Sequence, residues 1–537
     1  MLIEIFSDKF ISNGKIREKI KLHSGLNIIS GDSNKSNSIG KSTMLMIIDF
    51  CFGGSDYVTK GSDIINNIGH HSINFAFKFH NKLFYFSRHT DKPNTVFVCN
   101  KFYEIIEGQD FSLNKFTDWL KKSYDLNINL SFRDIVSKYF RVYGRDVTKE
   151  LKPLAVSNEA EEKSIKRLLK LYGYDFTELE KKVSKELQVI SSFNNLEKNG
   201  FQEKIGKRKY NQNVKEISEK KNNILEITDN FIGTKEAEQI ANLKFELQQL
   251  KRQKNKVEDK KDLTYIKRNR FSFNESEVKD FFPEIDLKKL SEIEAFHQNI
   301  SEILNAEIKE EIFKKQILIE NLSNQISIIE SKLSEFSKIK DISRKQLSFI
   351  IENQRIIDKL EEENNIFNKR EELKLSKESS TDRLNDYLKQ SIDAISKVIN
   401  RQMKLLNSTI FGSENRIPPK IEFKLNKQKK WTYEFKTEND TGTGTAFKSL
   451  ILFDLTVFKQ TELPSIIHDS YLFTDIETST VSEIVKIYNT FNKQIFIALT
   501  DKTSFDNKDI LDILKKNEVL YLSQNGNELF GKSWKEI

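Results

Sequence analysis

The sequence predicts an α/β fold in which one domain is assembled from both ends of the chain, around a long antiparallel helical insertion. Three observations predict it. First, Leu26–Ser30 is an apolar strand that leads through a polar loop into Gly40-Lys41-Ser42-Thr43 and then an apolar helix, Met44–Phe50. Strand, loop, Gly-Lys-Ser/Thr and helix is the setting of a P-loop, where loop N–H groups and a helix N-terminus cradle phosphate. Second, Pro283 is the only proline between residues 154 and 417, and no glycine occurs between 234 and 411. A stretch rich in Lys, Glu, Leu and Ile that avoids both breakers reads as long helices. Third, an apolar strand around Ile466-Ile467 ends in Asp469, where an acid on the Mg²⁺ side of a phosphate site belongs. Lys41 and Asp469 share a site only if the helical insert doubles back.

The N-terminal half of this head is read as residues 1–153. Leu2–Phe6 is its first strand. Gly31 is the first glycine of the phosphate loop, and Lys35 stands where the strict pattern has glycine, so the loop is about four residues longer than standard. Asn37 adds a polar loop residue, Lys41 reaches toward β/γ-phosphates, and the Ser42 hydroxyl suits Mg²⁺. Ser72–Phe79 and Leu83–Arg88 alternate apolar and polar around a short turn, an antiparallel hairpin. Further strands are expected at Thr95–Val98 and Lys101–Ile105, and helices at Leu113–Tyr124 and Phe132–Phe140.

An ascending arm follows over 154–262. Ile240, Leu243, Leu247, Leu250 and Val257 fit an a/d register. Residues 263–300 contain Phe271, Phe273, Phe281-Phe282-Pro283 and Phe296-His297 and read as the tip where the chain reverses. The descending arm, 301–411, carries the stripe Ile312, Ile319, Leu322, Ile326, Ile329, Leu333 and Phe336, then Leu384, Leu388, Ile392, Ile395 and Ile399. These stripes argue for coiled coil, and amphipathic helices in a bundle give the same interrupted pattern. No Cys-x-x-Cys lies at the tip, which excludes a zinc hook.

Residues 412–537 return to α/β character. Pro418-Pro419 stops the helix, and Lys420–Leu425 and Trp431–Phe435 alternate as strands. Thr441-Gly-Thr-Gly-Thr445 leads into the apolar helix Ile451–Phe458. A helix at Val481–Thr490 and a buried strand at Gln494–Thr500 follow the acid strand.

Composition sets outer limits. The chain has 537 residues, 37% of them hydrophobic and 31% charged, more than one compact globule accommodates. The net charge of +8 permits nucleic-acid binding without demonstrating it. Cys51 and Cys99 make no metal-ligand spacing and fit reduced thiols in a cytoplasmic protein. The N-terminus enters a strand directly, without a signal-peptide pattern, and no apolar run is long enough to span a membrane.

At Gly40–Thr43, Thr441–Leu450 and Ile466–Ser470 the chain resembles the SMC/RecN-like branch of the ABC ATPases, whose half-heads join across an antiparallel coiled coil. It is most similar to a bacterial SMC-like family with a His-Asp-Ser motif, here His468-Asp469-Ser470, found in ABC three-component anti-phage defence systems. The resemblance implies ATP and Mg²⁺ as ligands. Gly31, Asn37, Gly40, Lys41, Ser42 and Thr43 would form the Walker A side, and Asp469 the Walker B aspartate holding Mg²⁺ with Ser42. Thr441–Lys448 would be the ABC signature, its Gly442 and Gly444 approaching the γ-phosphate on a second protomer and Thr443 or Thr445 supplying a hydroxyl. Taken alone, these residues also make an ordinary Gly/Thr-rich turn before a helix.

The departures from the family pattern matter. Ser470 stands where a catalytic glutamate is usual, and a serine is no general base at neutral pH. Hydrolysis is then slow, or uses another group such as His468, Asp475 or Glu477; His468 reads equally as a strand-end residue without a chemical role. Asp501 stands in place of the switch histidine. No Q-loop glutamine stands in Phe132–Asp146, which leaves Gln109 as a candidate. The functions implied are a head-to-head dimer closing on ATP, arms that engage or sense DNA, and control of a partner effector such as a nuclease. The alternatives are a RecN-like ATPase of double-strand-break repair and a nucleotide-binding scaffold with little turnover. Lys204–Lys209, Lys251–Lys261 and Lys427–Lys430 with Trp431 are either DNA contacts or solvated faces.

Overall fold

The computed structural model describes residues 1–32, 39–145, 147, 149–156, 159–198, 205–229, 234–269, 287–339, 344–412, 414, 416–500, 505 and 507–533. The chain forms two compact units, Met1–Leu187 with Lys377–Ile537, and Gln188–Ser376. The α/β class, with a head built from both chain ends and a long antiparallel helical insertion, is the one observed.

The head holds a five-stranded parallel sheet. Its order is Phe140–Arg141, Ser465–His468, Gln494–Leu499, Leu26–Ser30 and Glu518–Tyr521. Leu26–Ser30, Ser465–His468 and Gln494–Leu499 are buried at every position, as strands covered on both faces must be. The P-loop strand and the acid strand therefore flank a common neighbour, Gln494–Leu499, with all three running the same way. Their carboxyl ends, which lead to Gly31 and Asp469, open on one edge of the sheet, where open α/β sheets bind ligands.

A six-stranded sheet packs beside it, in the order Ile20–Lys21, Leu2–Phe6, Ser72–Phe79, Lys82–His89, Thr95–Cys99 and Ile105–Ser112. The expected hairpin is present, with Phe75 opposite Phe86. The segment expected as a strand at Lys101–Ile105 is instead largely a turn, and the last strand begins at Ile105. Gln109 lies on that exposed edge strand, not in the parallel sheet. The helix expected to reach Phe140 stops early: Phe132–Val136 is helical, Ser137–Tyr139 is one 3₁₀ turn, and Phe140-Arg141 is the edge strand beside Ser465–His468.

The insertion departs from the sequence reading in two ways. The head extends further into it than residues 153 and 412. The helix Glu161–Leu171 buries Ile165, Leu168, Leu169 and Leu171 in the head core, and Leu384, Leu388, Ile392, Ile395 and Ile399 join the same core. That last stripe packs on the head, not on a second coil. Second, Lys207–Asp229, Thr234–Asn269, Leu287–Ile339 and Arg344–Phe411 alternate in direction. Ile205 and Asn213 face Arg370 and Glu363, an antiparallel register. Gln248 and Arg252 face Asp358 and Glu361, a parallel one, and Lys251 and Lys261 face Glu330 and Gln316, antiparallel again. The chain thus reverses between Asp229 and Thr234 as well as around the expected tip, and the region is a folded-back bundle. Phe271, Phe273 and Phe281–Pro283 lie outside the described residues; Phe296 and His297 fall within the helix Leu287–Ile339. Ile319, Leu322, Ile326 and Ile329 are buried as their spacing predicts.

Candidate nucleotide site

Lys41 opens the helix Lys41–Cys51, and Gly40 precedes it in a left-handed conformation, φ 99°. Only glycine holds that backbone without strain. A Cβ at Gly40 would meet Leu529 as well, and the Leu529 N–H binds the Ile39 carbonyl at 3.0 Å. Leu529, from the C-terminal half of the head, thus packs on the turn that opens the Lys41–Cys51 helix. A Cβ at Gly31 would lie 2.9 Å from Lys41 Nζ, so the lysine head lies directly over the bare backbone at the end of the P-loop strand. Ser42 and Thr43 are partly exposed in the first helical turn, whose N–H groups lack intrahelical acceptors. Asn37 lies outside the described residues.

Lys41 is nearly buried. Burial lowers its pKa below the usual lysine value, and the negative charges of Asp32 and Asp469 act against that fall. The two chain ends therefore meet electrostatically at this ammonium group. Asp469 is fully buried, and its carboxylate accepts the Tyr143 N–H at 3.0 Å and the Ser470 N–H at 2.7 Å. Its own N–H binds the Arg141 carbonyl. Ser470 is partly exposed and opens the 3₁₀ turn Ser470–Phe473.

His468 points into a different environment. It is fully buried, with Nδ1 2.6 Å from the Tyr488 hydroxyl and Nε2 3.1 Å from Asp454 Oδ2. Arg141 grips the same Asp454 carboxylate bidentately at 2.8 and 2.7 Å and donates to the Val147 and Pro153 carbonyls. Burial raises the Asp454 pKa, but Arg141 and His468 outweigh it and hold the carboxyl below its usual range. Both ring nitrogens are thus engaged in the core, which favours the strand-end reading of His468 over the chemical one.

A second buried charge group ties the P-loop helix to the Asp469 side. Asp49 pairs with Arg133 at 2.8 Å and with Arg145 at 3.4 Å, and Arg145 also reaches Asp56 at 2.6 Å. Arg145 sits two residues after Tyr143, whose N–H holds Asp469.

The signature-like turn is built separately. Gly442 caps the helix Thr443–Gln460, Asp440 accepts the Gly442 N–H, and the Thr445 hydroxyl donates to Asp440 at 2.8 Å. Thr445 is thereby engaged within its own turn, while Thr443 is exposed. A Cβ at Gly444 would collide with the Asp475 carbonyl, so this glycine is needed for packing in its own chain. The Tyr471 ring joins the pieces, 6.0 Å from Tyr143 and 5.9 Å from Phe447. Glu477 is exposed at a helix start, and Asp501 lies outside the described residues.

Sequence reasoning missed Asp32, Arg141, Tyr143, Asp454 and Leu529. Two left a signal: Arg141 and Asp454 are lone charges inside apolar runs, and a charge there must be paired. Tyr143 and Leu529 act through backbone position, which composition does not reveal. The donor set fits a nucleotide with Mg²⁺: a lysine over a bare glycine turn, a helix N-terminus, a hydroxyl at Ser42 and one carboxylate, the phosphates completing the metal's shell. No group of three or more His, Cys, Asp or Glu able to hold a metal without such help occurs among the described residues.

A family model described as "Uncharacterised protein conserved in bacteria (DUF2326)" matches residues 395–534. No curated protein matches the chain. Among solved structures, the chain is similar to the Smc head domain with a coiled coil and joint from Pyrococcus yayanosii. That match has 14% identity and a TM-score of 0.43, covering 97% of this chain and 94% of the other. It is also similar to the Smc head domain with an extended coiled coil bound to the C-terminal domain of ScpA from Pyrococcus furiosus. There the identity is 11% and the TM-score 0.41, covering 96% and 91%. Likeness at this level carries no argument about chemistry. Among the described residues no helix is long and apolar enough to cross a membrane.

Proposed function

We propose that this chain is an SMC-like ATPase that binds Mg·ATP at Gly31, Gly40–Thr43 and Asp469. The observation that carries the reading is the pair of parallel strands, one from each chain end, that flank Gln494–Leu499 and bring the Gly31 and Asp469 ends to the same edge of the sheet. Lys41 would bind the terminal phosphates, and Ser42 and Asp469 would hold Mg²⁺. Two heads would close head to head, each presenting Gly442, Thr443 and Gly444 to the other's γ-phosphate, and the insertion would transmit the change while engaging DNA. A contact made only to ATP gives the differential affinity a switch requires. The resemblance at His468-Asp469-Ser470 alone supports control of a partner effector in anti-phage defence.

Ser470 favours a second reading of the same site, a nucleotide-binding scaffold with little turnover, since it puts no carboxylate directly after Asp469. Equilibrium binding of ATP with and without Mg²⁺ tests the common part. Lys41→Ala is expected to weaken ATP binding at least about tenfold, the loss of one charge-assisted phosphate contact. Unchanged binding in Lys41→Ala rejects the site; tight binding with no measurable hydrolysis selects the scaffold.

A further inference from the structure

Three basic clusters stand out in the sequence, and the structure treats them differently. The first begins outside the described residues and continues at the start of the helix Lys207–Asp229. In the second, Lys251, Arg252 and Lys254 pair with Glu330, Glu361 and Glu258, and Lys261 donates to Gln316. Lys251, Arg252 and Lys261 thereby join the insertion's helices, and Lys254 is paired within its own helix. The third, at Lys427–Lys430, is the tip of the hairpin Lys420–Leu425/Trp431–Lys436.

Alternation along this hairpin sorts its side chains. Ile421, Trp431, Tyr433 and Phe435 are buried against the head. Lys420, Glu422 and Lys424 face outward opposite Lys436, Glu434 and Thr432. The two glutamates are consumed there, Glu422 by Lys420 and Lys424 and Glu434 by Lys424 and Lys436. Lys427, Lys429 and Lys430 are exposed and have no acidic partner among the described residues. With six lysines and two glutamates over 420–436, the hairpin carries a net charge of +4, concentrated at the tip.

The tip is also closed by hydrogen bonds of its own. The Asn426 side-chain oxygen accepts the N–H groups of Gln428 and Lys430, and Lys429 takes a left-handed φ of 57° to close the turn. The base is anchored: Asn400 exchanges two hydrogen bonds of 2.9 Å with Ile421, and the Tyr433 hydroxyl accepts the Leu154 N–H. Asn400 belongs to Arg344–Phe411, the helix that continues into the insertion.

We propose that this hairpin tip is a contact for the phosphate backbone of double-stranded nucleic acid. Lysine ammonium groups suit sequence-independent phosphate contact as point charges. Trp431 and Tyr433 face inward, so the tip offers no ring for stacking on unpaired bases. An acidic protein surface is the competing partner. The proposal deepens the DNA-engaging part of the function above and rests on it, but not on nucleotide chemistry.

The test is duplex binding by the full chain, read by fluorescence anisotropy of a random-sequence DNA over a salt series. The variants are Lys427→Gln/Lys429→Gln/Lys430→Gln and the corresponding triple change to glutamate. Both are expected to bind ATP as the unaltered protein does, which also reports a folded head. The triple glutamine variant is expected to lose at least about tenfold in duplex affinity and to flatten the salt slope by about 2 to 3, near 0.9 per lost phosphate contact. Wild-type affinity and slope in both variants overturn the proposal, as does the absence of duplex binding by the unaltered protein at low salt. Tighter binding of single strands than duplex, or of poly-glutamate in place of DNA, overturns it in favour of the competing ligand. Lys41→Ala fails independently: its effect on ATP binding rejects or retains the nucleotide site whatever the hairpin does.

Discussion

His468 and Asp469 are neighbours in sequence with opposite fates. Asp469 lies beyond the strand end, held by the Tyr143 and Ser470 N–H groups and close enough to Lys41 to influence its charge. His468 turns inward to Asp454 and Tyr488. A motif names both residues, but only register decides which face each takes. His468→Ala is therefore expected to cost about 2–4 kcal/mol of stability, from a cavity and a buried carboxylate that loses one partner. Its Mg·ATP affinity at a temperature where it remains folded should stay within about twofold. Denaturant unfolding and ATP titration check both halves. A variant of full stability that has lost turnover returns His468 to chemistry. Arg141 is the structural counterpart, gripping Asp454 with its side chain while its carbonyl accepts the Asp469 N–H.

At the scale of elements, strands were the legible part. Ser72–Phe79, Lys420–Leu425 and Gln494–Leu499 announce themselves by period-two alternation or a continuous apolar run, and turn residues bound them. The limits of the head were not legible. Leu384 to Ile399 keep a helical apolar stripe whether they face another coil or the head, and periodicity does not name the partner. The extra reversal of the insertion was equally hidden. Gly233 lies between Asp229 and Thr234, but it reads as a mere interruption, and no proline or glycine lies between Ile339 and Arg344. The signature-like helix shows a finer device that is testable by pH. Lys493 donates to the Phe458, Thr461 and Leu463 carbonyls at and beyond the C-terminal end of Thr443–Gln460. Burial lowers its pKa to about 8. An unfolded lysine titrates near 10.4, so between these values the unfolded chain binds more protons and Lys493's contribution to stability rises with pH. The stability gap between the unaltered protein and Lys493→Met is expected to widen from about pH 8 to about pH 10.5. A gap that narrows would mean that the three carbonyls hold the charged form against desolvation.

At the scale of the molecule, one hydrophobic core joins residues from Leu2 to Phe530, and the P-loop strand cannot pair until the C-terminal strands arrive. Neither half of the head completes the five-stranded parallel sheet alone. The insertion is in sequence a separation, but in space its roots lie together: the Ser380 hydroxyl donates to Glu186 at 3.0 Å, and Phe176 packs on Tyr387. The head's contacts are mostly its own, as its separate compactness indicates. Met1–Leu187 joined to Lys377–Ile537 by a short Gly/Ser linker is therefore expected to fold without residues 188–376. Loop-closure entropy favours the short join slightly, since the cost grows only with the logarithm of loop length. The joined head should unfold in one cooperative thermal transition and bind ATP within about threefold of the full chain, with Lys41→Ala weakening that binding at least about tenfold in both. An aggregated or non-cooperative product would mean that the helical bundle supplies folding energy to the head. A folded product that does not bind ATP would instead place part of the nucleotide site's organisation in the insertion.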